Sequence, residues 1–287
     1  MSVKKYLDRL EDLSGKEVLI AGGTSGIGLS IVKHLLYKHA KVVVLARNIE
    51  KAEGIKDKLL NDYSDNPISV IKYDQSVDSS ILEAGEEIIN QHPQFYAMIL
   101  NVGIIQSKKN QSYVNDYSLT LKTNIIGLSV LLDYLLPKLE GKHRFIIQGS
   151  LVAGWRINKI DTLKGITISP FKQYVLSKAC VESLFYHYTT YPNSDFSFYL
   201  VEPGITITEI IREFPAFIRG LANFVIRFFP RSIDKSALTA LLALSPNVEK
   251  NSFIVPRGLF TISGYPKVKP FPKKRRRPYL YDLINKD

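Results

Sequence analysis

A glycine-rich turn near the start of the chain places the strongest constraint on the fold. Residues 22–28 read Gly-Gly-Thr-Ser-Gly-Ile-Gly and lie between an apolar run at 18–21 and an amphipathic segment at 27–39, an order that predicts a strand, a sharp turn and a helix. Glycines let the backbone approach a pyrophosphate closely, and the N–H groups of the first helical turn attract its oxygens. We therefore predict a dinucleotide site, although similar turns also join strands to helices without a ligand. Its expected residues are Gly22, Thr24, Ser25, Gly26, Ile27 and Gly28.

The residues after the second apolar run, at 41–45, bear on the choice of dinucleotide. A site for NAD usually carries an acidic residue here, which binds the ribose 2′-hydroxyl, whereas this chain has Ala46 and then Arg47. A guanidinium attracts the 2′-phosphate of NADP, so we predict that NADP(H) is preferred over NAD(H). Arg47 could also be a solvated residue at the end of a strand.

Apolar runs and amphipathic segments alternate along most of the chain. The expected strands lie at 17–21, 41–45, 68–73, 96–100, 144–148 and 196–201, with helices at 27–39, 49–63, 79–91, 117–139 and 173–190. Because crossovers between parallel strands are right-handed, this pattern predicts an α/β fold: a Rossmann-type doubly wound parallel sheet of six or seven strands with helices on both faces. We expect one domain at 1–270, opened by a short helix, and a basic tail at 271–287.

Composition excludes several classes of protein. The single cysteine, Cys180, cannot form an intramolecular disulfide, which favours a reducing compartment and a packed structural role. We find no secretory signal pattern and no run of about 18 apolar residues, so we expect a cytoplasmic protein. The five histidines suggest no ligand cluster, and no metal is expected.

The net charge of +11 has one concentrated source, the run of five cations at 273–277. Such a run is most often a solvated tail, and we interpret it in this way. It could also attract an anionic cofactor, nucleic acid or an anionic membrane surface. We expect no nucleic-acid partner, and leave open a peripheral membrane contact through this tail or through residues 208–230.

Tyr174 and Lys178 carry the clearest catalytic signal. They lie four residues apart in a predicted helix, so their side chains leave the same face. A free tyrosine has a pKa of about 10, and a nearby ammonium lowers that pKa towards the range useful for general acid–base chemistry. The same spacing also occurs in ordinary amphipathic helices.

Together these motifs resemble the classical short-chain dehydrogenase/reductase family. The resemblance covers about residues 16–208 and rests on an ordered set of matches. They are the glycine turn, Asp74 after the third strand, Asn101-Val102-Gly103 after the fourth, Asn124 in the long helix, Ser150 after the fifth strand, Tyr174 with Lys178, and Pro203-Gly204.

The resemblance implies a catalytic tetrad that acts on a carbonyl or alcohol with a nicotinamide cofactor. Tyr174 would donate the proton and Ser150 would orient the substrate oxygen, while Lys178 would hold the nicotinamide ribose and Asn124 would fix a water of the proton relay. Asp74 is expected beside the adenine and Asn101 beside the ribose region. The further cofactor-binding residues that the family implies are Gly103, Tyr174, Lys178, Pro203 and Gly204.

The segment around the expected serine departs from the family pattern. It reads Gln-Gly-Ser-Leu-Val-Ala-Gly at 148–154, and alignment on the final Ala-Gly would place Leu151 at the catalytic position. We prefer Ser150, because it directly follows the strand and one inserted loop residue is tolerated easily. The long interval to Tyr174 resembles the retinol dehydrogenase and protochlorophyllide reductase branch, which suggests a bulky apolar substrate.

Residues 208–232 are rich in Phe, Ile and Leu, with arginines between them. In relatives this region closes over the substrate, so a mobile apolar lid is the first interpretation. A packed core helix and a membrane-surface helix are the alternatives.

These observations favour an NADP-dependent oxidoreductase that transfers hydride to or from a hydrophobic carbonyl or alcohol. The main alternative is a non-catalytic NADP-binding sensor or scaffold, suggested by the atypical Ser150-Leu151 pair. A nucleic-acid or membrane-surface binder that uses the basic tail is a third. The family further implies a homodimer or homotetramer, paired through the helices at 119–136 and 175–190.

Overall fold

A mixed sheet with seven parallel strands and one antiparallel edge strand forms the centre of the fold. The computed structural model describes residues 1–63, 67–107, 109–158, 160–204, 232–258 and 261–286. The strands of the sheet are β1 (Glu17–Ala21), β2 (Lys41–Ala46), β3 (Ile68–Lys72), β4 (Ala97–Leu100), β7 (His143–Gln148), β8 (Phe196–Val201), β9 (Phe253–Pro256) and β10 (Pro266–Lys269). Their spatial order is β10-β9-β8-β7-β4-β1-β2-β3.

The parallel part of this sheet confirms the predicted doubly wound architecture in one domain. Strands β1, β4 and β7 lie at its centre, and their apolar side chains are almost completely buried, as continuous apolar runs predict for strands covered on both faces. The sequence did not reveal the eighth strand, β10, which pairs antiparallel with β9. Its first residue is Pro266 and two lysines follow, a composition typical of an edge strand.

Helices cover both faces of the sheet. The helices are α1 (Val3–Leu7), α2 (Gly26–Tyr37), α3 (Ile49–Asp62), α4 (Asp78–Gln91), α5 (Leu119–Leu121), α6 (Gly127–Leu135), α7 (Pro170–Tyr188), α8 (Ile233–Ala243) and α9 (Pro278–Lys286). Strand residues alternate between the two cores: Val18 and Ile20 pack with α1, α2, α3 and α8, whereas Leu19 and Ala21 pack with α4 to α7 and α9. None of the described helices is long and apolar enough to cross a membrane.

The long helix predicted at 117–139 is interrupted. A two-stranded ribbon, β5 (Tyr113–Val114) and β6 (Tyr117–Ser118), precedes it, and the Ser118 hydroxyl caps α5 by accepting from the Leu121 N–H at 3.3 Å. A π-helical turn, Lys122–Ile126, then separates α5 from α6. Such turns often mark functional positions, and this one carries Asn124.

The basic segment near the C-terminus is not a solvated tail, so that expectation is wrong. Residues Lys273–Arg275 form a 3₁₀ turn, and α9 packs on α7 with Leu280 fully buried. The cause is apolar spacing: Leu280, Leu283 and Ile284 follow one another at helical intervals and fill the core beside α7. The expected lid at 208–232 lies outside the described residues, except for its last residue, Ser232.

We predict that the packing of α9 contributes directly to stability. Leu280→Ala should lower the free energy of unfolding by about 2–5 kcal/mol, because it leaves a cavity in the core. Tyr279→Ala is the matched control, because Tyr279 is 43% exposed, and we expect a change within about 0.5 kcal/mol. Urea unfolding followed by circular dichroism measures both, and equal effects of the two substitutions would contradict this prediction.

Candidate active site

The glycine turn joins β1 to α2 in a conformation that needs glycine. Gly22 and Gly26 have φ angles of 84° and 50°, in the left-handed region. Gly28 is required for a different reason, because a Cβ atom there would lie 1.9 Å from the Gly22 carbonyl oxygen. The turn therefore folds back tightly against the start of the helix.

The start of α2 has room and hydrogen-bond donors for an anion. In α3, α7 and α8 the N-cap side chain accepts a hydrogen bond from a backbone N–H, but the Ser25 side chain makes no such bond to α2. Apart from its chain neighbours and the backbone of its own helix, no described residue has an atom within 4 Å of the Cβ position of Gly26. A helix N-terminus of this kind, approached through glycines, fits a pyrophosphate.

Three residues predicted to contact the cofactor lie at the carboxyl ends of neighbouring strands. The Asn101 amide donates to the Gly22 carbonyl oxygen at 3.1 Å, so it also braces the turn. The Asp74 carboxylate accepts from the backbone N–H and the hydroxyl of Ser76, at 2.9 and 2.6 Å. Arg47 is exposed after β2.

Lys72 is a second cation at this end of the sheet, and sequence analysis missed it. Its ammonium donates to the Arg47 carbonyl oxygen at 2.6 Å. Lys72 ends β3 and is the register partner of Ala46, the residue before Arg47. Only the pairing of the two strands reveals this neighbour.

Ser150 and Tyr174 are brought together at the end of β7. Their side chains are hydrogen bonded to each other, and Tyr174 is almost completely buried on α7. Ser150 is extended, whereas Leu151 begins a 3₁₀ turn, Leu151–Gly154. The hydroxyl that contacts Tyr174 thus belongs to Ser150, at the end of the strand, whereas Leu151 has no hydroxyl group.

The pKa of Tyr174 differs from the expectation. Burial raises the pKa of the phenol, and the hydrogen bond with Ser150 opposes that change. The lowering of the pKa predicted from Lys178 is not observed. Instead, the Lys178 ammonium donates to the Gln148 carbonyl oxygen at 3.0 Å, and burial lowers the lysine's pKa to about 8.

Gly103 and Asn124 complete the surroundings of Lys178. A Cβ atom on Gly103 would lie 3.2 Å from the lysine Nζ, so glycine leaves room for the ammonium. The Asn124 amide donates to the Ile104 carbonyl oxygen at 2.8 Å and to the Ser177 hydroxyl at 3.0 Å. Its own oxygen accepts from the Ile104 N–H at 2.8 Å. Asn124 therefore links the π-helical turn, the loop after β4 and α7.

The segment after β8 continues the same edge of the site. Gly204 has a φ angle of 77°, and a Cβ atom on it would lie 2.4 Å from the Ile262 carbonyl oxygen. Gly204 therefore needs to be glycine, and it is the last described residue before 205–231. Among the described residues, no group of three His, Cys, Asp or Glu side chains is placed to hold a metal ion.

Sequence analysis also missed a buried charged cluster behind Ser150. It contains Arg275, Glu182 on α7 and Glu202 at the end of β8. One signal was present, because Glu182 follows Lys178 by four residues and extends the polar face of an otherwise apolar helix. Nothing local in the run of five cations singles out Arg275.

Comparison with known proteins agrees with this arrangement. Residues 16–216 match the family described as short chain dehydrogenase. A short-chain dehydrogenase/reductase of Armillaria gallica is 32% identical over 136 residues, which cover 47% of this chain and 44% of that protein. An uncharacterized oxidoreductase of Schizosaccharomyces pombe is 24% identical over 259 residues, or 84% of this chain and 76% of that protein. The chain thus spans less than half the length of the first relative and about three quarters of the second.

Solved structures show the same fold. An uncharacterized protein of Mycobacterium paratuberculosis superposes with a TM-score of 0.72 at 20% identity, over 98% of this chain and 97% of that one. A short chain dehydrogenase of Burkholderia cenocepacia, solved in complex with NADP, gives a TM-score of 0.64 at 19% identity, over 82% and 93% of the two chains. With the family match over more than half of its length, the chain belongs to the short-chain dehydrogenase/reductase family of NAD(P)-dependent oxidoreductases.

Proposed function

We propose that this protein transfers hydride between NADP(H) and a carbonyl or alcohol group of a hydrophobic substrate. The observation that carries the proposal is the hydrogen-bonded pair of Ser150 and Tyr174, one helical turn from buried Lys178. The glycine turn at the same edge of the sheet supports it, since its geometry fits a pyrophosphate.

In the direction of reduction, the two hydroxyls of Ser150 and Tyr174 bind the carbonyl oxygen and orient it. Tyr174 then gives its phenolic proton to that oxygen, and the hydrogen bond with Ser150, which lowers the pKa of the phenol, favours the phenolate that remains. NADPH, when bound, supplies the hydride to the carbonyl carbon. Asn124 keeps α7 and the loop after β4 in place through its three hydrogen bonds.

The protonation state of Tyr174 favours reduction. Because burial raises the pKa of the phenol, the side chain is protonated at neutral pH and in the form that donates. An alcohol oxidation would need the phenolate as its base, which the same burial disfavours. The proposed preference for NADP agrees with this direction.

The proposed cofactor contacts follow the edge of the sheet. The glycine turn and the first N–H groups of α2 would hold the pyrophosphate, and Arg47 would bind the 2′-phosphate. Asp74 would contact the adenine and Lys178 the nicotinamide ribose, with further contacts from Asn101, Gly103, Pro203 and Gly204. The non-catalytic sensor is less well supported, because Ser150 reaches Tyr174 despite the atypical Leu151.

The proposal also includes a bulky apolar substrate and a homo-oligomeric assembly. Residues 208–232 would cover a bulky apolar substrate, and this segment could also contact a membrane surface. Pairing into a homodimer or homotetramer through 119–136 and 175–190 would have to include α9, which covers one side of α7. There the rings of His187 and Tyr281 stack at 3.6 Å between centroids.

We predict that NADPH binds more tightly than NADH because Arg47 pairs with the 2′-phosphate. Arg47→Asp should lower the ratio of the Kd for NADH to the Kd for NADPH by at least about tenfold, since a hydrogen bond to a charged group contributes about 1.5–3 kcal/mol. Lys41→Asp is the matched control, because it makes the same charge change at the other end of β2. Fluorescence titration with both cofactors measures the ratio, and an unchanged ratio in Arg47→Asp would refute the assignment.

We predict that Tyr174→Phe lowers kcat by at least about 100-fold, the contribution of a general acid, and leaves the Kd for NADPH almost unchanged. Ser150→Ala should also lower kcat, whereas Leu151→Ala should have a mild effect. A screen of carbonyl compounds that follows NADPH oxidation supplies the substrate for these assays. Full turnover by Tyr174→Phe would show that the mechanism is wrong.

We predict that Lys178 makes stability depend on pH. Its pKa is about 8 in the folded protein against 10.5 for the free side chain. Below pH 8 the ammonium is charged in both states and its burial cost is fully present. Between pH 8 and 10.5 the folded protein loses the proton first, so the free energy of unfolding should rise by up to about 3 kcal/mol.

Lys178→Met removes this titration and should also weaken NADPH binding. Urea unfolding of both proteins at pH 7, 8.5 and 10 isolates the effect, because other groups cancel in the difference. The wild type should gain stability relative to Lys178→Met as the pH rises. A constant difference across this range would contradict the prediction.

A further inference from the structure

Two arginines of the C-terminal basic segment bind the backbone of the loop that follows β7. Arg275 Nη2 donates to the Ser150 carbonyl oxygen at 3.4 Å. Arg277 donates from Nη1 to the Ala153 carbonyl oxygen at 2.8 Å, and from Nη2 to that of Trp155 at 3.0 Å. The Ser150 carbonyl oxygen also accepts from the Ala153 N–H within the turn, at 3.1 Å. Ala153 and Trp155 lie at the end of the turn, where carbonyls lack partners within it. The two guanidinium groups supply donors to residues 150–155, which we call the serine loop.

Arg275 is held rigidly behind the serine loop. Its Nε donates to Glu182 Oε2 at 2.9 Å, and its Nη2 also contacts the carboxylates of Glu182 and Glu202. Both glutamates are fully buried. One cation faces two carboxylates, and burial raises the pKa of Glu202 to about 8, an effect that the charge of Lys269 opposes.

This cluster contributes little net stability to the fold. Buried ion pairs are often no more stable than apolar groups of the same volume, because the charges lose their hydration. What the cluster does provide is fixed geometry: it links α7, which carries Tyr174, to the end of β8 and to the serine loop. Its position suggests a role in the site.

Arg277 is anchored separately from Arg275. Its carbonyl oxygen accepts from the Ser183 hydroxyl on α7 at 2.8 Å. The packed helix α9 begins at the next residue. The guanidinium therefore reaches the serine loop from backbone that is fixed to the helix of Tyr174.

We propose that Arg275 and Arg277 are positioning residues, which hold the serine loop so that Ser150 stays hydrogen bonded to Tyr174. The proposal rests on the proposed function in one respect, the catalytic use of Ser150. It assigns to the C-terminal basic segment an internal role, in place of an attraction for external anions. The lysines of the same run, Lys273 and Lys274, are exposed and serve as the comparison.

The protein contains its own reporter for this loop. Trp155 is the single tryptophan of the chain, and its carbonyl oxygen accepts from Arg277. The residue is 44% exposed, and its ring meets that of Phe171 edge to face at 5.5 Å between centroids. Tryptophan fluorescence thus reports on the serine loop without substrate or cofactor.

The first experiment measures acrylamide quenching of Trp155 in the full-length protein. Arg277→Ala should increase the quenching constant, since the loop loses two hydrogen bonds, and Arg277→Lys should restore part of the protection. Lys274→Ala, which removes the same charge from the same run, should match the wild type. Arg275→Lys keeps the buried charge but loses the forked contact, so it provides a second variant if Arg277→Ala folds poorly.

The second experiment measures turnover with a confirmed carbonyl substrate. Arg277→Ala should lower kcat by about 10–100-fold through misplacement of Ser150, with an unchanged Kd for NADPH. The Ser150 hydrogen bond lowers the pKa of Tyr174. Its loss should therefore move the part of the kcat–pH profile that is set by ionisation of Tyr174, the Tyr174 limb, to higher pH. A purely structural role would lower the midpoint of thermal unfolding without moving this limb.

The outcomes separate the two proposals. Equal quenching in Arg277→Ala, Arg275→Lys and Lys274→Ala would overturn the claim that the arginines hold the loop. Increased quenching with unchanged kcat and pH profile would overturn the positioning role. Full turnover by Tyr174→Phe would instead remove the proposed mechanism, and the quenching result would still decide whether the arginines hold the loop.

Discussion

The burial of α7 is the constraint on which the candidate site depends. Sixteen of its nineteen residues are buried, so its polar side chains must find partners inside the protein. An unpaired buried donor or acceptor costs about 1–3 kcal/mol. Ser177 bonds to Asn124, Lys178 to Gln148 and Glu182 to Arg275. Each pairing fixes a different neighbouring segment against the helix of Tyr174, and together these segments form the walls of the site.

The parallel sheet supplies the other half of the arrangement. The glycine turn, Asn101, Ser150 and Glu202 follow β1, β4, β7 and β8, and the carboxyl ends of parallel strands meet at one edge. Ligands of open α/β sheets bind at this edge. The expected dinucleotide contacts and the Ser150–Tyr174 pair therefore share one side of the molecule, although they come from distant parts of the sequence.

Local patterns made much of this predictable. Continuous apolar runs indicated the central strands, and the glycine turn, Ser150, Tyr174 and Lys178 were visible in order. Features that depend on distant contacts were not. The raised pKa of Tyr174 results from burial by surrounding segments, and the neighbour of Arg47 is Lys72, from another strand. The burial of Arg275 depends on carboxylates 93 and 73 residues away, which no local window contains.

The separation of the arginines from the serine loop has a consequence for the order of folding. Arg275 contacts Ser150 across 125 residues of chain, and Arg277 contacts Ala153 across 124. The glycine turn, in contrast, is held by the nearby residue Leu45 and by Asn101, which is 79 residues away. Contacts of high sequence separation pay a larger loop-closure entropy before they form. During refolding we therefore expect the ability to bind a dinucleotide to return before the serine loop reaches its final position.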